Sequence, residues 1–337
     1  MQSKKFTLII PFFNSFDYLK KCLHSVYRSP IKPNEIIVVD DFSEKTQTTK
    51  CRAFLKSLNK KNLRYIRIKK NLGPGGARNL GVKKSSFNLI FFIDADTVVL
   101  KNTFERFLKN IKKYDAVAGI YTLTPATNTH TSHCKTSLYY FLYRKNSILT
   151  YDHFPASCAG IKKKVFLNVG GFDPFFKKGI DLECEEFGFR ISEKYKLIID
   201  TGMQVKHHFP SFLKMHILLI KRSMLWMEMF LVRRRFSPTA VNSSTGAKVI
   251  FSPMLVSSIF VFLLLKIKFF LLFSIFFLSV HLLSFKDFFA HHFKRGVNYF
   301  FIMLFFSIMF NTAIFCGCCL GLLKSFFNLS KIKKEFS

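Results

Sequence analysis

Two aspartates one residue apart carry the clearest chemical signal in this chain. Asp94 and Asp96 stand where the apolar run at residues 91–93 stops. Side chains on a strand alternate between its two faces, so carboxylates at positions i and i+2 point to the same side. Mg²⁺ and Mn²⁺ prefer oxygen ligands, and carboxylates often hold them beside phosphate oxygens in nucleotide chemistry. The pair therefore predicts a metal site, and a surface turn after a strand is the plainer alternative.

Short β-branched runs alternate with helix-length segments at the start of the chain. The runs at residues 6–11 and 35–41 flank a helical stretch at residues 18–27. This alternation predicts an α/β fold with a mostly parallel central sheet and helices on both faces. Ligands of such open sheets bind at the carboxyl ends of the strands. The polar residues expected at that edge are Asn14, Asp40, Asp41, Asp94 and Asp96.

A glycine-rich segment at residues 71–81 predicts a turn that leads into a helix. Backbone N–H groups at the start of such a helix, together with Arg78, suit a phosphate or diphosphate group. The spacing excludes a dinucleotide-binding fingerprint, because Arg78 stands where the third glycine would be, and the lysine signature of a P-loop is missing.

In this order, the segments resemble the signatures of glycosyltransferase family 2, whose members have the GT-A fold. The matching segments are residues 9–14, 38–43, 71–79, 94–96 and 170–173. The resemblance covers roughly the first 210 residues, and several ordered motifs are more specific than any single one. It implies transfer of a sugar from a nucleotide diphosphate donor, with inversion at the anomeric carbon.

The resemblance also implies roles for individual residues. Asp40 or Asp41 would contact the base of the donor, Arg78 the diphosphate region and Asp94 the ribose. The donor-binding residues that it implies are Pro11, Asn14, Asp40, Asp41, Gly73, Arg78, Asn79 and Asp94. Asp96 would hold the Mg²⁺ or Mn²⁺ with Asp94, and His207 or His208 would approach the metal. The acceptor-side residues are Gly171, Phe172, Asp173 and Arg190.

The chain departs from the family at the expected catalytic base. Cys184 stands where the family usually has an aspartate. A thiol with an ordinary pKa of about 8.5 is a poor base at neutral pH. Asp181, Glu183 and Glu185 are the candidate replacements. Alternatively, the acceptor is a lipid phosphate, which is already anionic and requires no base.

Past Pro210 the composition changes, which divides the chain into a GT-A catalytic domain at residues 1–210 and a membrane-associated part. Residues 211–248 predict a basic amphipathic helix in the headgroup layer and a flexible joint. Apolar runs long enough to span a bilayer predict a membrane region at 249–323, with candidate spans 249–265, 269–285 and 297–323. A basic tail follows at residues 324–337.

Charge and location support the same interpretation. The formal net charge is +32 over 337 residues, yet no nucleic-acid-binding motif is present, so membrane lipid and diphosphate donors are the expected polyanions. Nucleotide sugars are made in the cytoplasm, so we expect the catalytic domain on the cytoplasmic side of an inner membrane. The basic loop at residues 286–295 agrees with this orientation, whereas three full spans would export the basic tail.

The sequence therefore predicts a membrane-bound, metal-dependent inverting glycosyltransferase that acts on a lipid-linked or glycan acceptor. The alternative enzyme is a polyprenyl-phosphate glycosyltransferase, and the alternative of another class is a catalytically silent membrane scaffold.

Overall fold

The computed structural model of the protein describes residues 5–143, 148–174, 182–233 and 243–336. Asp181, one of the candidate bases, lies outside the described residues, as do residues 234–242 of the expected joint. The chain forms two compact units. The first comprises Met1–Thr127 and Leu142–His208, and the second comprises Asn128–Phe141 and Phe209–Ser337.

The first unit alternates strands and helices, as its sequence predicts. The elements up to residue 207 are, in chain order, β1 (Phe6–Phe12), α1 (Phe16–Arg28), β2 (Glu35–Asp40), α2 (Lys45–Leu58), β3 (Leu63–Arg67), α3 (Gly73–Lys84), β4 (Leu89–Ile93), β5 (Thr97–Val99), α4 (Thr103–Asn110), β6 (Ala116–Tyr121), α5 (His130–Tyr143), β7 (Ile148–Thr150), β8 (Cys158–Lys162), α6 (Lys163–Val169), α7 (Glu183–Lys194) and β9 (Leu197–His207).

The described strands form one sheet in the order β3-β2-β1-β4-β8-β6-β9-β5, and β7 pairs with β9. Strands β3, β2, β1 and β4 pair with one another in parallel. The residues of β2 and β4 are all buried, which fits central strands covered on both faces. The expected α/β fold with a mostly parallel central sheet is thus confirmed.

Beyond β4 the sheet gains antiparallel pairs. Strand β8 runs antiparallel to β4 and β6, while β5 runs antiparallel to β9. The β5–β9 pairing sets Thr97 opposite His207. The end of β9 therefore comes to lie beside the segment that follows β4.

Packed phenylalanines fix the helix α4 against the sheet. The rings of Phe91 and Phe107 lie 4.9 Å apart, and Phe6 lies 5.3 Å from Phe104. All four side chains are fully buried or nearly so. Burial of each such side chain stabilises the fold by about 2–3 kcal/mol. Strand β8 passes close to this cluster at Gly160, where a Cβ would lie 2.1 Å from the ring of Phe107.

The second unit is helical over its described residues. Besides α5 it contains α8 (Phe212–Arg233), α9 (Ser243–Leu265), α10 (Lys268–Ser284), α11 (Lys286–Phe293) and α12 (Val297–Phe336). Helices α9 and α10 form an antiparallel hairpin, in which Ser258 and Ser274 join hydroxyl to hydroxyl at 2.9 Å. Nearer the open end, His281 bridges Ser252 at 3.1 Å and Ser307 of α12 at 2.9 Å.

Helix α8 packs lengthwise against α12, and the two run in the same direction. Phe212 meets Phe310 near the start of α8, and Glu228 pairs with Lys324 at 2.8 Å sixteen residues later. In between, Gly317 lies so close to α8 that a Cβ there would be 2.4 Å from the carbonyl oxygen of Ile220. The basic helix expected in the headgroup layer thus has a protein partner along its length.

One described helix is long and apolar enough to cross a membrane, namely the 31 residues Val297–Phe327 of α12. Helices α10 and α11 would make a second crossing only as a broken span, since they are bent by 85°. The apolar part of α9, Val249–Leu265, is shorter. Of the three expected spans, 297–323 therefore coincides with a helix of sufficient length, whereas 249–265 and 269–285 stay predictions. The expected tail continues α12 as far as Phe336.

Candidate functional site

The predicted metal site is assembled from two distant parts of the chain. Ligand atoms of Asp94, Asp96 and His207 all lie within 4.8 Å of one another. Asp94 and Asp96 follow β4, and His207 ends β9. His207 Nε2 lies 3.3 Å from Asp96 Oδ1. The structure therefore brings His207 to the aspartate pair.

His208 has a different environment. Its backbone N–H donates to the carbonyl oxygen of Asp96 at 3.0 Å, which ties β9 to the aspartate loop. Its Nδ1 lies 2.6 Å from the hydroxyl of Thr127, and its ring packs 4.7 Å from that of Tyr18. Burial, followed by the charges of Lys21 and His207, lowers the pKa of His208 to about 4. His208 is therefore neutral at pH 7 and holds the loop in place.

The three residues fit a divalent cation. Asp96 Oδ1 is buried and has no hydrogen-bond partner among the described residues. Burial, and next the charge of Asp94, raises the pKa of the Asp96 carboxyl, while His207 opposes this shift. A buried carboxylate oxygen that accepts no hydrogen bond is costly unless a cation compensates it, and the nearest basic group here is His207 at 3.3 Å. Two carboxylates and an imidazole suit Mn²⁺, and the carboxylates alone suit Mg²⁺.

Arg78 holds one of the candidate metal ligands. Its side chain is only 4% exposed and donates from Nη2 to Asp94 Oδ1 at 2.6 Å. Its Nη1 lies 3.4 Å from Glu183 Oε1, and its guanidinium stands over the ring of Phe172 at 5.4 Å. Arg78, which the resemblance assigns to the diphosphate region, here joins the aspartate pair to the start of α7.

Asp40 and Asp41, the two aspartates expected to contact the nucleotide base of the donor, have different surroundings. Asp40 is fully buried, and its carboxylate accepts hydrogen bonds from the backbone of Ser43 at 2.8 Å and from the hydroxyls of Thr48 and Tyr65. Arg67 Nε lies 3.6 Å away. The lone pairs of Asp40 are thus used within the fold. The sequence did not predict its contacts with Tyr65 and Arg67.

Asp41 holds the glycine-rich turn. Its Oδ1 accepts the backbone N–H of Leu72 at 2.7 Å. Burial raises the pKa of Asp41 to about 6, against the effect of the N–H groups of Leu72 and Gly73. Gly73 has φ +75°, a conformation that favours glycine. Of the two aspartates, Asp41 is therefore the one whose carboxyl group can still accept hydrogen bonds from a ligand.

Other expected donor residues shape the same edge. Asn14 has φ +49°, donates its N–H to Ser43 Oγ at 3.0 Å and accepts the N–H of Glu44 at 2.8 Å. Pro11 lies inside β1, opposite Val39 of β2. These contacts join the loops that follow β1 and β2, so the carboxyl ends of both strands are fixed relative to each other.

The expected acceptor-side residues form a tightly held turn. Asn79 clasps Phe172 on both sides, accepting its N–H at 2.9 Å and donating to its carbonyl oxygen at 2.7 Å. Arg190 donates to the carbonyl oxygens of Val169 and Gly171. Gly171 has φ +72°, and Asp173 is partly buried beside this turn. Both Asn79 and Arg190 thus position this turn, although the resemblance places Asn79 among the donor-binding residues.

Helix α7 carries the remaining candidates for the base. Glu183 is 5% exposed and faces Arg78, whereas Glu185 Oε1 lies 3.9 Å from His153 Nε2. Burial raises the pKa of the Cys184 thiol, to which the charge of Glu183 adds. Cys184 therefore stays a neutral thiol at pH 7, as the sequence predicts. Asp181 lies just before the described start of α7.

Known proteins resemble this chain in sequence and in fold. The sequence model of Glycosyl transferase family 2 matches residues 7–170. Glycosyltransferase GlyA of Streptococcus pneumoniae is 34% identical over 112 residues, which cover 33% of this chain and 16% of that protein. The poly(ribitol-phosphate) beta-N-acetylglucosaminyltransferase TarS of Staphylococcus aureus is 34% identical over 102 residues, or 29% and 17% of the two chains. The chain thus spans about a sixth of the length of these two relatives.

A solved structure extends the likeness over most of the fold. The mannosyltransferase PcManGT from Pyrobaculum calidifontis, in complex with GDP-Man and Mn²⁺, superposes with a TM-score of 0.57 at 14% identity. The superposition covers 93% of this chain and 86% of the other. The match of the sequence model shows that residues 7–170 form a glycosyltransferase family 2 domain, and the sheet order with the superposition shows that this domain has the GT-A fold.

Proposed function

We propose that the protein is a membrane-bound inverting glycosyltransferase that uses Mg²⁺ or Mn²⁺. It transfers a sugar from a nucleotide diphosphate donor to a hydroxyl of a lipid-linked or glycan acceptor at the cytoplasmic face. The observation that carries the proposal is the convergence of Asp94, Asp96 and His207 within a family 2 domain.

Asp94, Asp96 and His207 would hold the metal. A bound divalent cation stabilises the negative charge that develops on a departing diphosphate. Arg78 holds Asp94 in place through its 2.6 Å contact. The fold neighbour that was solved with GDP-Man and Mn²⁺ supports this assignment.

Asp41 is our proposed contact to the base of the donor, because Asp40 is occupied by Ser43, Thr48 and Tyr65. Asp41 stands between β2 and the turn before α3. A group there can bind a base whose diphosphate reaches the metal ligands at the end of β4, because both strands end at the same edge of the sheet.

Proton removal from a hydroxyl acceptor is assigned to a carboxylate near the start of α7. Glu183 is tied to Arg78 and therefore belongs to the same network as the metal ligands. Glu185 and Asp181 are the other candidates. An exposed acceptor hydroxyl requires such a base, because its own pKa is far above 7.

The first experiment measures Mn²⁺ and nucleotide binding to the purified full chain in detergent. Electron paramagnetic resonance reports free Mn²⁺, and the melting temperature reports stabilisation by UDP, GDP, CDP and ADP. We expect one nucleotide to raise the melting temperature only with Mn²⁺, and Asp96→Asn to lose Mn²⁺ binding. Glu105→Gln, which removes an exposed carboxylate on α4, is the control and should behave like wild type.

If no nucleotide stabilises the folded wild-type protein with Mn²⁺ present, the transferase proposal fails and a catalytically silent scaffold replaces it. If Glu105→Gln loses as much Mn²⁺ as Asp96→Asn, the metal binds elsewhere and the site assignment fails.

One observation favours a second candidate, a polyprenyl-phosphate glycosyltransferase. The residue at the usual base position is a thiol, and burial raises its pKa further. An anionic phosphate acceptor needs no proton removal. The relative named for action on poly(ribitol-phosphate) matches only the shared domain, so it does not decide between hydroxyl and phosphate acceptors.

Variants of Cys184 separate the two candidates. Because the thiol is neutral, Cys184→Ala should keep the rate within about threefold for either acceptor class. If the hydroxyl reaction lacks an effective base, a carboxylate in Cys184→Asp should raise its rate by about 10²-fold, the lower range of general-base effects. Turnover unchanged in Cys184→Asp but lost in Glu183→Gln would assign the base to Glu183. Turnover unchanged in Cys184→Asp, Glu183→Gln, Glu185→Gln and Asp181→Asn would favour a phosphate acceptor.

A further inference from the structure

A second polar cluster lies in the helical unit, apart from the aspartate site. It comprises His133 and Ser137 of α5, His292 of α11, Arg295 in the turn before α12 and Tyr299 in the first turn of α12; we name it the α5–α11–α12 cluster. The guanidinium of Arg295 stands 4.1 Å over the ring of Tyr299, and the rings of His292 and Tyr299 are 5.4 Å apart. Arg295 is exposed, whereas His133 and His292 are buried.

The hydrogen bonds of the cluster fix the proton of His133. Its Nε2 lies 2.8 Å from Asn128 Oδ1, and its Nδ1 lies 3.4 Å from Arg295 Nη1. Arg295 can only donate, so Nδ1 accepts and Nε2 carries the proton. Burial, and next the charge of Arg295, lowers the pKa of His133. His133 is thus neutral and leaves Arg295 as the permanent charge of the cluster.

Arg295 makes no ion pair with a carboxylate in the described ranges of the chain. The adjoining residues His130, His291 and Lys294 add further basic groups. The first N–H groups of the 40-residue helix α12 also point towards this end, where the helix dipole favours an anion. The cluster therefore has positive charge that no described carboxylate balances.

Two buried polar atoms in the cluster have unused hydrogen-bonding capacity. Ser137 Oγ donates to the carbonyl oxygen of His133, so it accepts from His292 Nε2 at 2.9 Å. That assignment leaves His292 Nδ1 as an acceptor, and it is buried without a partner in the part of the chain that the structure describes. Tyr299 Oη is buried and makes no hydrogen bond of ordinary geometry among the described residues, although the guanidinium of Arg295 approaches it. Such groups are rare in native interiors and often mark the place of a ligand or water.

We propose that the α5–α11–α12 cluster binds a phosphate monoester. Arg295 pairs with the anionic oxygens, the Tyr299 hydroxyl donates to one of them, and His292 Nδ1 accepts the hydrogen of the remaining P–OH group. A phosphodiester has no such P–OH group, so the cluster prefers a monoester to a diester. Because α12 is apolar from Val297 onward, a lipid monophosphate at a membrane surface and free inorganic phosphate are the two sources of this chemistry.

The test uses short-chain, water-soluble lipids with the full chain in detergent, without nucleotide or Mn²⁺. Dihexanoyl phosphatidic acid, dihexanoyl phosphatidylglycerol and inorganic phosphate are titrated, and the melting temperature and isothermal calorimetry give the affinities. We expect phosphatidic acid to bind at least about tenfold more tightly than phosphatidylglycerol. Arg295→Gln should weaken binding by about tenfold or more, as expected for loss of a charge-assisted contact.

Lys294→Gln is the matched control, because it removes one positive charge from the neighbouring exposed position. Tyr299→Phe keeps the ring under the guanidinium and removes only the hydroxyl, so it should fold normally and bind several-fold more weakly. Tight binding of phosphatidic acid alone identifies a lipid as the source, and equal binding of inorganic phosphate identifies the free anion. Equal losses in Arg295→Gln and Lys294→Gln, or no preference for a monoester, would overturn the proposal.

Discussion

Buried charge at Arg78 connects the candidate metal site to helix α7. Its guanidinium is nearly inaccessible and contacts the carboxylates of Asp94 and Glu183. The sequence predicted Arg78 as a phosphate contact from its place near a helix start. It could not predict these two partners, because they lie 16 and 105 residues away along the chain and meet only in the folded sheet.

Removal of this charge should destabilise the first unit. Arg78→Met leaves Asp94 and Glu183 facing each other without a cation, and loss of one partner of a buried pair typically costs about 3–5 kcal/mol. The control is Arg64→Met, because Arg64 pairs with Glu35 at 2.6 Å while 45% of its side chain is exposed. Glu35 is buried but keeps its hydrogen bonds from Thr7 and Ser86 when Arg64 is removed, so this variant should cost less, about 1 kcal/mol. Similar melting temperatures for the two variants would contradict a buried network at Arg78.

Asp41 gives a pH-dependent prediction. Burial raises its pKa to about 6 in the folded protein, above its ordinary value of 3.8. A raised carboxyl pKa stabilises the fold below the unfolded pKa, and this stabilisation is lost as the pH rises through about 6. Asp41→Asn imitates the protonated form and can still accept the Leu72 N–H. The variant should therefore melt several degrees above wild type at pH 7.5, by a smaller margin at pH 4.5, and at the same temperature at pH 3, below the unfolded pKa.

The measurement is the difference between the two melting temperatures at each pH, which removes the contribution of all other titrating groups. Ser57→Ala is the control, because it removes an exposed hydroxyl of α2 that donates to the carbonyl oxygen of Phe54 and not to a carboxylate, and its difference should not vary with pH. A constant difference for Asp41→Asn would show that folding does not raise the pKa of Asp41.

At the scale of elements, local pattern predicted the parallel strands and missed the antiparallel ones. The runs that became β1, β2 and β4 are continuous and apolar, as expected for strands buried on both faces. Strand β9 begins with the apolar run at residues 197–199 but extends to His207. Its last residues are polar and are held by pairing with β5, so their structure depends on partners distant in sequence. The pairing of β9 with β5 is what brings His207, and not His208, to the aspartate pair.

Helix packing in the second unit follows from small residues that hydropathy does not reveal. Gly317 and Gly321 are four residues apart on α12, and both approach the backbone of α8. This small-xxx-small spacing lets two helices pack closely. Composition predicted that α8 is a basic helix on the membrane surface, because lysine and arginine dominate its charged residues. Composition could not predict that α12 packs against it.

Gly321→Leu should separate α8 from α12. A Cβ at this position would lie 2.5 Å from the carbonyl oxygen of Met224, and backbone cannot give way as a flexible side chain can. Overpacking of this kind costs about 1–3 kcal/mol, so the melting temperature in detergent should fall. Leu322→Ala changes a neighbouring residue that is 46% exposed and should leave the melting temperature nearly unchanged. An unchanged melting temperature in Gly321→Leu would show that packing of α8 against α12 contributes little to stability.

For the whole molecule, charge and hydropathy give two different reasons to be at a membrane. The net charge of +32 attracts any anionic surface, and salt weakens that attraction. Residues 297–327 of α12 offer instead a helix that hydrocarbon can surround. High salt would release a protein held by charge alone, whereas a protein held by α12 requires detergent.

Two lysines placed on α12 distinguish these modes of attachment. Phe301 and Phe305 are 59% and 53% exposed and lie one helical turn apart, so Phe301→Lys/Phe305→Lys puts two charges on one face of the candidate span. A charge costs up to about 2.5–3.5 kcal/mol on insertion, the value at the middle of a span, and less towards its ends. We expect this variant to leave membranes on washing with 1 M salt or alkaline carbonate, whereas wild type leaves only with detergent.

Phe326→Lys/Phe327→Lys is the control. It carries the same substitutions at the end of the apolar helix, where lysine reaches the interface, and should behave like wild type. Retention of the first variant through both washes would show that α12 does not hold the protein in the membrane.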